Sequence, residues 1–383
     1  MSKRWRGGLI AFLLMILSGC TVLQELDREP VFDAGSTCIQ LFDTLDRAVD
    51  EAGTRDAQAT RIAGFPFLRI NRFLASFRDE IEDEGSFNFW VDQLHALDME
   101  ARQYEIRNTP LELFGYEYGG SDDSSPLLDR IRDCGSKLRL SVNVNNRQIL
   151  ADHLLKRAVV PDVYSNLKRF LGIYPLSRLF VLRGIEYLQR STYERFQQPL
   201  HTLPVKGRLV RYAPQETTDA ISDEDIKRIL WESSDNPPGI PILSIRTQKR
   251  LFDKFAPIWE IDVTTDNDHI GTPYWETETR LAIDTKKPHV FRHLSYTRVD
   301  GKVLVQLNYV IWFPARPRSG YFDLLGGHID GITWRVTLGS DGYPVFYDSM
   351  HNCGCYHLFF PTNHIIPRVL TGNQEKPVLL PDL

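Results

Sequence analysis

HVFRHLSYTR (289–298) and KVLVQLNYVIWF (302–313) are two runs in which apolar and polar side chains alternate, joined through Val299, Asp300 and Gly301. Alternation with a period of two places one set of side chains on each face of a strand. An Asp-Gly pair supplies two residues that tolerate positive φ, as the tightest hairpin turn requires. Turned there, the strands set His293 opposite Asn308 and Ser295 opposite Gln306. One face gathers Val290, Leu294, Tyr296 and Arg298 with Val303, Val305, Leu307, Tyr309 and Ile311. The other carries His289, His293, Ser295 and Thr297 beside Leu304, Gln306, Asn308 and Trp312. That polar row is either the solvated side of an antiparallel sheet or a pocket floor closed by Trp312 and a loop at Pro314.

The same alternation recurs in WEIDVTT (259–265), TRLAIDT (279–285), ITWRVTL (332–338) and YPVFYDS (343–349). Residues 241–368 therefore form a β-rich, mainly antiparallel domain, followed by a tail over 369–383. Residues 36–200 read differently. Ser36 caps a helix in which Cys38, Leu41, Leu45, Ala48 and Val49 recur at helical spacing, with Gly53 past its end. Ser86 caps a second, with Trp90, Val91, Leu94, Leu97, Ala101 and Tyr104 on one stripe. Amphipathic stretches follow near 66–83, 126–136, 146–158, 162–172 and 175–195, and YEYGGSDDSSP (116–126) is a surface connection. Residues 201–240 are a linker holding one short strand, VKGRLVRY, and one short helix capped by Ser222. The fold class is α+β, a helical domain before a β-rich one.

The N-terminus stands apart. Lys3, Arg4 and Arg6 precede the apolar run LIAFLLMIL (9–17) and the small-residue exit Ser18-Gly19-Cys20, the order of a secretory signal. Leu17-Ser18-Gly19-Cys20 resembles the lipobox of bacterial lipoproteins. The resemblance implies removal of residues 1–19, a covalent lipid on the Cys20 thiol (palmitate among its acyl chains), and a tether over 20–35. Thr21, where an Asp would signal retention, implies an outer-membrane address on the periplasmic side. No second apolar run approaches the ~20 residues of a spanning helix.

Without residues 1–19 the chain has 42 Lys and Arg against 50 Asp and Glu, a net charge of −8. That balance excludes a nucleic-acid partner, which needs a basic face. The expected partners are the membrane, through the lipid, and an envelope protein or peptidoglycan. Disulfides persist in an oxidising compartment; with Cys20 acylated, Cys38 and Cys134 share the helical domain and are the expected pair. Cys353 and Cys355 are separated only by Gly354, too short a loop for an easy bridge.

Seven of the ten histidines lie between His269 and His364, so the chemistry is expected in the β-rich domain. DSMHNCGCYH (348–357) is its densest stretch. ITWRVTL and YPVFYDS flank Gly339-Ser340-Asp341-Gly342. If Leu338 pairs with Tyr343, Trp334 opposes Tyr347, Asp330 opposes His351, and His328 opposes Cys353 on one face. Directly opposed Cβ atoms are ~5 Å apart. Three chemistries follow. The first is a site for zinc or another transition metal, its donors drawn from His328, His351, Cys353, Cys355 and His357, with Asp330 orienting an imidazole. The second is a Cys353 nucleophile for acyl transfer or hydrolysis, served by His328 with Asp330 or Asp348 behind it, and by Gln306 or Asn308 as oxyanion donor. The third is an interaction or assembly protein whose turn is structural. TTDNDHIG (264–271) is a self-capping turn rather than a calcium loop, since it lacks the terminal Glu. No phosphate loop, dinucleotide fingerprint or serine elbow occurs.

Overall fold

A computed structural model describes residues 32–33, 36–115, 125–144, 147–161, 190–192, 194–215, 219–277, 280–318, 326–354 and 356–365. The export signal, Cys20, the stretches expected near 162–172 and over most of 175–195, Cys355 and the tail lie outside the described residues. The fold is α+β, and the chain divides into two compact units, Met1–Pro161 and Asp162–Leu383.

In the first unit, α1 (Thr37–Ala52) begins where Ser36 accepts a hydrogen bond from the Ile39 N–H. It ends at Gly53, whose φ of 68° is the left-handed cap glycine allows. Residues 60–70 are not helical. They form a hairpin, β1 (Thr60–Ile62) and β2 (Phe65–Ile70), before a single turn, α2 (Arg72–Ala75). Gly64 and Pro66 stop a helix from starting, and Phe65, Phe67, Leu68 and Ile70 are all buried. The long helix α3 (Glu84–Asn108) is capped by Asp83, with Ser86 returning the bond as the third residue of a capping box.

The buried stripe of α3 differs from the expected one. Tyr104 is exposed, and Asp98, Arg102 and Glu105 are buried beside Trp90, Leu94 and Ala101. Three charges on the inner face are tolerable because each meets a partner. Arg69, in β2, donates to Asp98 at 3.0 Å and to both oxygens of Glu105 at 2.7 and 2.6 Å. Arg102 bonds Asp98 at 3.2 Å, Asp46 at 2.9 Å and the Pro66 carbonyl at 2.9 Å. Hydropathy cannot reveal such a stripe, since each member reads as a surface residue. Helix α4 (Ser125–Val144) is joined to α1 by a disulfide between Cys38 and Cys134, with Cα atoms 5.2 Å apart. It crosses α3 where Gly135 meets the His95 ring, a place where any side chain would overlap. Helix α5 (Arg147–Arg157) completes this unit.

In the second unit, the segment expected as a linker is part of the fold. Its strand β3 (Arg208–Tyr212) pairs with β4 (Trp259–Val263), and α6 (Asp223–Ser233) is capped by Ser222 as the sequence predicts. A further helix, α7 (Ile245–Lys254), precedes β4 where strand was expected to begin. A projecting hairpin follows, β5 (Thr272–Thr277) with β6 (Arg280–Asp284). The principal sheet is a five-stranded antiparallel meander: β7 (Phe291–Val299), β8 (Lys302–Arg316), β9 (Gly327–Leu338), β10 (Pro344–His351) and β11 (Leu358–Pro361), in spatial order β11-β10-β9-β8-β7. Asp300 and Gly301 have φ of 48° and 76°, and His293 opposes Asn308 as the turn requires. Helices α6 and α7 cover one face. Ile226, Leu230, Leu251 and Phe252 enclose Val305, Leu307, Tyr309, Val336 and Leu338, and the Tyr309 hydroxyl donates to the Phe252 carbonyl at 2.8 Å.

Candidate functional site

Two faces of the meander carry chemistry, and β10 contributes to both. On the face away from the helices, one row crosses the sheet in register: His293, Asn308, Arg335 and Asp348. It is neither a solvated row nor an open floor. Asn308, Gln306, Thr337 and Asp348 are buried. The Asn308 amide donates to Ser295 Oγ and the His293 carbonyl, and the Gln306 amide to Thr337 Oγ1. Arg335 holds Asp348 through Nε and Nη2 at 2.8–3.0 Å, and His357 Nε2 stands 3.5 Å from the same carboxylate. His293 is exposed along one side. Its ring still titrates below the ordinary imidazole value, first because neighbouring sheet atoms displace its water and then because the Arg335 charge faces it. β8 runs on through Pro314 to Arg316, so Pro314 lies in a strand rather than in the expected loop.

On the helix-covered face, the hairpin of β9 and β10 departs from the expected register. Gly339 donates to the Tyr343 carbonyl, and Leu338 pairs with Pro344 rather than Tyr343. Pro344 has no N–H for the ladder, and a bulge follows it. Beyond the bulge the register has moved two residues: Tyr347 opposes Val336, Ser349 opposes Trp334, and His351 opposes Ile332. A two-residue shift preserves the face each side chain takes. Asp330 and His351 thus still meet, diagonally, with Oδ1 3.2 Å from Nδ1. The Asn352 N–H still donates to the Gly331 carbonyl, and Cys353 lies in the turn that follows His351.

His328 does not join them. It sits across from Ala315, and its Nε2 lies 2.6 Å from the Leu281 carbonyl of β6. Between it and Asp330, Ile329 has a φ of 61°. A β-branched side chain rarely tolerates the left-handed region, and this twist separates the two residues. The imidazole that meets Asp330 is His351, and the expected pairing of His328 with Cys353 is overturned by the bulge and this twist. Gln306 and Asn308 project from the other face and cannot serve as oxyanion donors to Cys353. The five expected metal donors are also divided: His351 is on Asp330, His357 is on Asp348 across the sheet, His328 is on a backbone carbonyl, and Cys355 lies outside the described residues. Among the described residues no three His, Cys, Asp or Glu side chains are grouped as metal ligands.

Around the Asp330–His351 pair the turn is tightly specified. The Gly354 N–H closes it on the His351 carbonyl at 2.7 Å, with Gly354 at φ 82°. Asn352 lies over Gly331, accepting from Thr333 Oγ1 at 2.7 Å and reaching the Ile311 carbonyl. A side chain at Gly331 would occupy the space of that amide. Cys353 is exposed and free. Tyr356, at φ 53°, sets its ring 5.0 Å from that of His351, and Arg316 lies over the Tyr356 ring at 5.6 Å. Among the described residues, non-glycines with positive φ are Asp300 in its turn, Ile329 beside Asp330, and Tyr356 against His351. Such strain gathers where a site over-determines its backbone.

The 264–271 turn is self-capping: Asp268 Oδ2 accepts from the backbone N–H of Thr264 and Thr265 and from the Thr264 hydroxyl. No helix among the described residues is long and apolar enough to cross a membrane. Compared with protein-family models, characterised proteins and solved structures, the chain matches none.

Proposed function

We propose that the protein is an exported lipoprotein, anchored to the outer membrane through Cys20, whose second unit carries a cysteine nucleophile for acyl transfer or hydrolysis. The Cys38–Cys134 disulfide supports the oxidising compartment. The hydrogen bond between Asp330 and His351 supports the chemistry. An ionised carboxylate can only accept, so Nδ1 carries the proton and Nε2 presents its lone pair. That lone pair can take the proton of a thiol in the same turn, and only a thiolate is a competent nucleophile. Cys353 is the nucleophile, His351 the base, and Asp330 a positioning residue that fixes the tautomer.

Alkylation by iodoacetamide in a Cys355→Ser background tests this. Cys353 should react at neutral pH, and His351→Ala should slow it about tenfold and move its pH profile towards that of a free thiol near 8.5. Asp330→Asn should shift the profile while leaving some of the rate. Identical profiles in all three proteins would remove the dyad. Loss of labelled-palmitate incorporation in Cys20→Ala tests the anchor.

A second possibility rests on the same hydrogen bond. A carboxylate on one ring nitrogen is the usual support of a metal-bound histidine. His351 Nε2, Cys353 and, from the sequence, Cys355 are then donors to a transition ion. Elemental analysis of exported protein separates the two: about one tightly held zinc or copper per chain supports the metal, and none leaves the thiol.

A further inference from the structure

We infer that the acyl group taken by this site is a long, apolar one. The inference rests on the thiol nucleophile proposed above and adds its substrate class.

On the face that carries Asp330 and His351, the stretch of β9 leading away from the pair is apolar, while the charges of that face sit two strands away at Arg292 and Arg298 of β7. The register sets Phe313 opposite Asp330 and Ile332 opposite His351, with Trp334 opposite Ser349 and Tyr347 one step further along β10. Phe313, Ile332, Trp334 and Tyr347 are all only partly buried. Trp334 and Tyr347 stack on each other, with centroids 5.5 Å apart, at the border of the cluster under α6 and α7. Between Asp330 and Trp334 this face of β9 has no further charged side chain, and the strand advances about 13 Å over those four residues. The charge near the site lies at its other end, where Arg316 covers the Tyr356 ring. An acyl donor with a polar head and an extended hydrocarbon tail matches both ends. Its head would face the turn and its tail would lie along Ile332 towards Trp334. A short or charged acyl group would leave the strip wet and gain nothing from it. A chain tethered to a bilayer also has such donors, lipid esters, at hand.

The chemistry balances without any further reagent. His351 Nε2 takes the Cys353 proton, and the thiolate adds to the ester carbonyl. The ester C–O bond then breaks as the alkoxide takes the proton back from the imidazolium, leaving a thioester. Water or an acceptor hydroxyl, deprotonated by the same nitrogen, then cleaves the thioester and regenerates the thiol.

The test uses the mature lipoprotein in nanodiscs, in the Cys355→Ser background, with p-nitrophenyl acetate, butyrate and octanoate. A Cys353→Ala protein supplies the blank, and mass spectrometry locates the thioester on the peptide holding residue 353. Acylation should quicken with chain length, by up to about fourfold per buried methylene and at least tenfold from acetate to octanoate. Ile332→Thr and Trp334→Ala should flatten that dependence, read as the ratio of octanoate to acetate rates within each variant. Comparing variants in one nanodisc cancels partition of the esters into lipid. Equal rates for all three esters, or a preference that both variants retain, would overturn the apolar strip and leave the thiol site standing. Alkylation independent of His351 would instead remove the site, and the strip with it.

Discussion

Replacing Arg69 with Met puts the buried charge network of the first unit to a quantitative test. The guanidinium is fully buried and donates to Asp98 and to both oxygens of Glu105. Met fills a similar volume but donates nothing. Asp98 keeps Arg102, whereas Glu105 keeps only the backbone N–H of Asp56 and a more distant charge. Stranding one member of a buried pair costs about 3–5 kcal/mol. With a urea slope near 2 kcal/mol/M, the first unit's midpoint should fall by roughly 2 M. Hydrogen exchange along α3, with the disulfide intact, reads this unit separately from the other. Burial pushes the Glu105 carboxyl up, but the Arg69 hydrogen bonds and charge outweigh it, so its folded pKa lies below the ordinary 4.5. A depressed folded pKa contributes stability above the unfolded value that is lost as pH falls through the folded one. Below about pH 4.5 the parent should therefore lose part of its advantage over the variant. Adding Glu105→Leu to Arg69→Met should restore most of the loss, since an apolar pair in place of buried ions is often neutral. A single variant within 1 kcal/mol of the parent, or a double variant no better than the single, would refute the reasoning.

Reducing the Cys38–Cys134 bond removes a loop closed over a sequence separation of 96. The first unit should lose about 4–5 kcal/mol in the chain-entropy picture, seen as a lower denaturation midpoint with reductant and no change in Cys38→Ser/Cys134→Ser. Gly331→Ala should displace the Asn352 amide that lies over it, costing about 1–3 kcal/mol, and should alter Cys353 alkylation if that amide holds the turn. Gly301→Val should cost the second unit at least about 1 kcal/mol, because Val resists the positive φ found there. A melting curve unchanged by that substitution would count against the two-residue turn.

The sheet was legible wherever local rules were strong. Asp300–Gly301 fixes one turn type, and every pair from Val299–Lys302 to Phe291–Val310 follows from it. The second hairpin was legible in face but not in register, because Pro344 breaks the ladder one residue after a loop whose length depends on which carbonyl Gly339 bonds. The meeting of Asp330 with His351 survived that error, since parity outlasts a two-residue shift. The exclusion of His328 did not follow from alternation, because a left-handed isoleucine is a tertiary outcome. The buried row from His293 to Asp348 and the charged stripe of α3 were hidden for one shared reason: polar side chains announce burial only through their partners. Apart from the Asp98–Arg102 pair within α3, the hydrogen-bond partners named above lie 13 to 56 residues away. Helix α7 was hidden by IRTQKRLFDK, in which only Leu251 and Phe252 are buried and Ile245 is exposed, too few apolar residues to mark a helical period before a true strand.

The meander order β7 to β11 has a kinetic consequence. Each of its strands docks against the one made just before it, so no partner has to be awaited from far along the polypeptide, and such short-range closure is quick. The first unit is the reverse case, because Cys38 stays a bare thiol until Cys134 has emerged 96 positions later. In a chain that folds from its amino end, the half made first is therefore the half that waits longest for its closing bond, and an oxidant would have to be present before that bond could form.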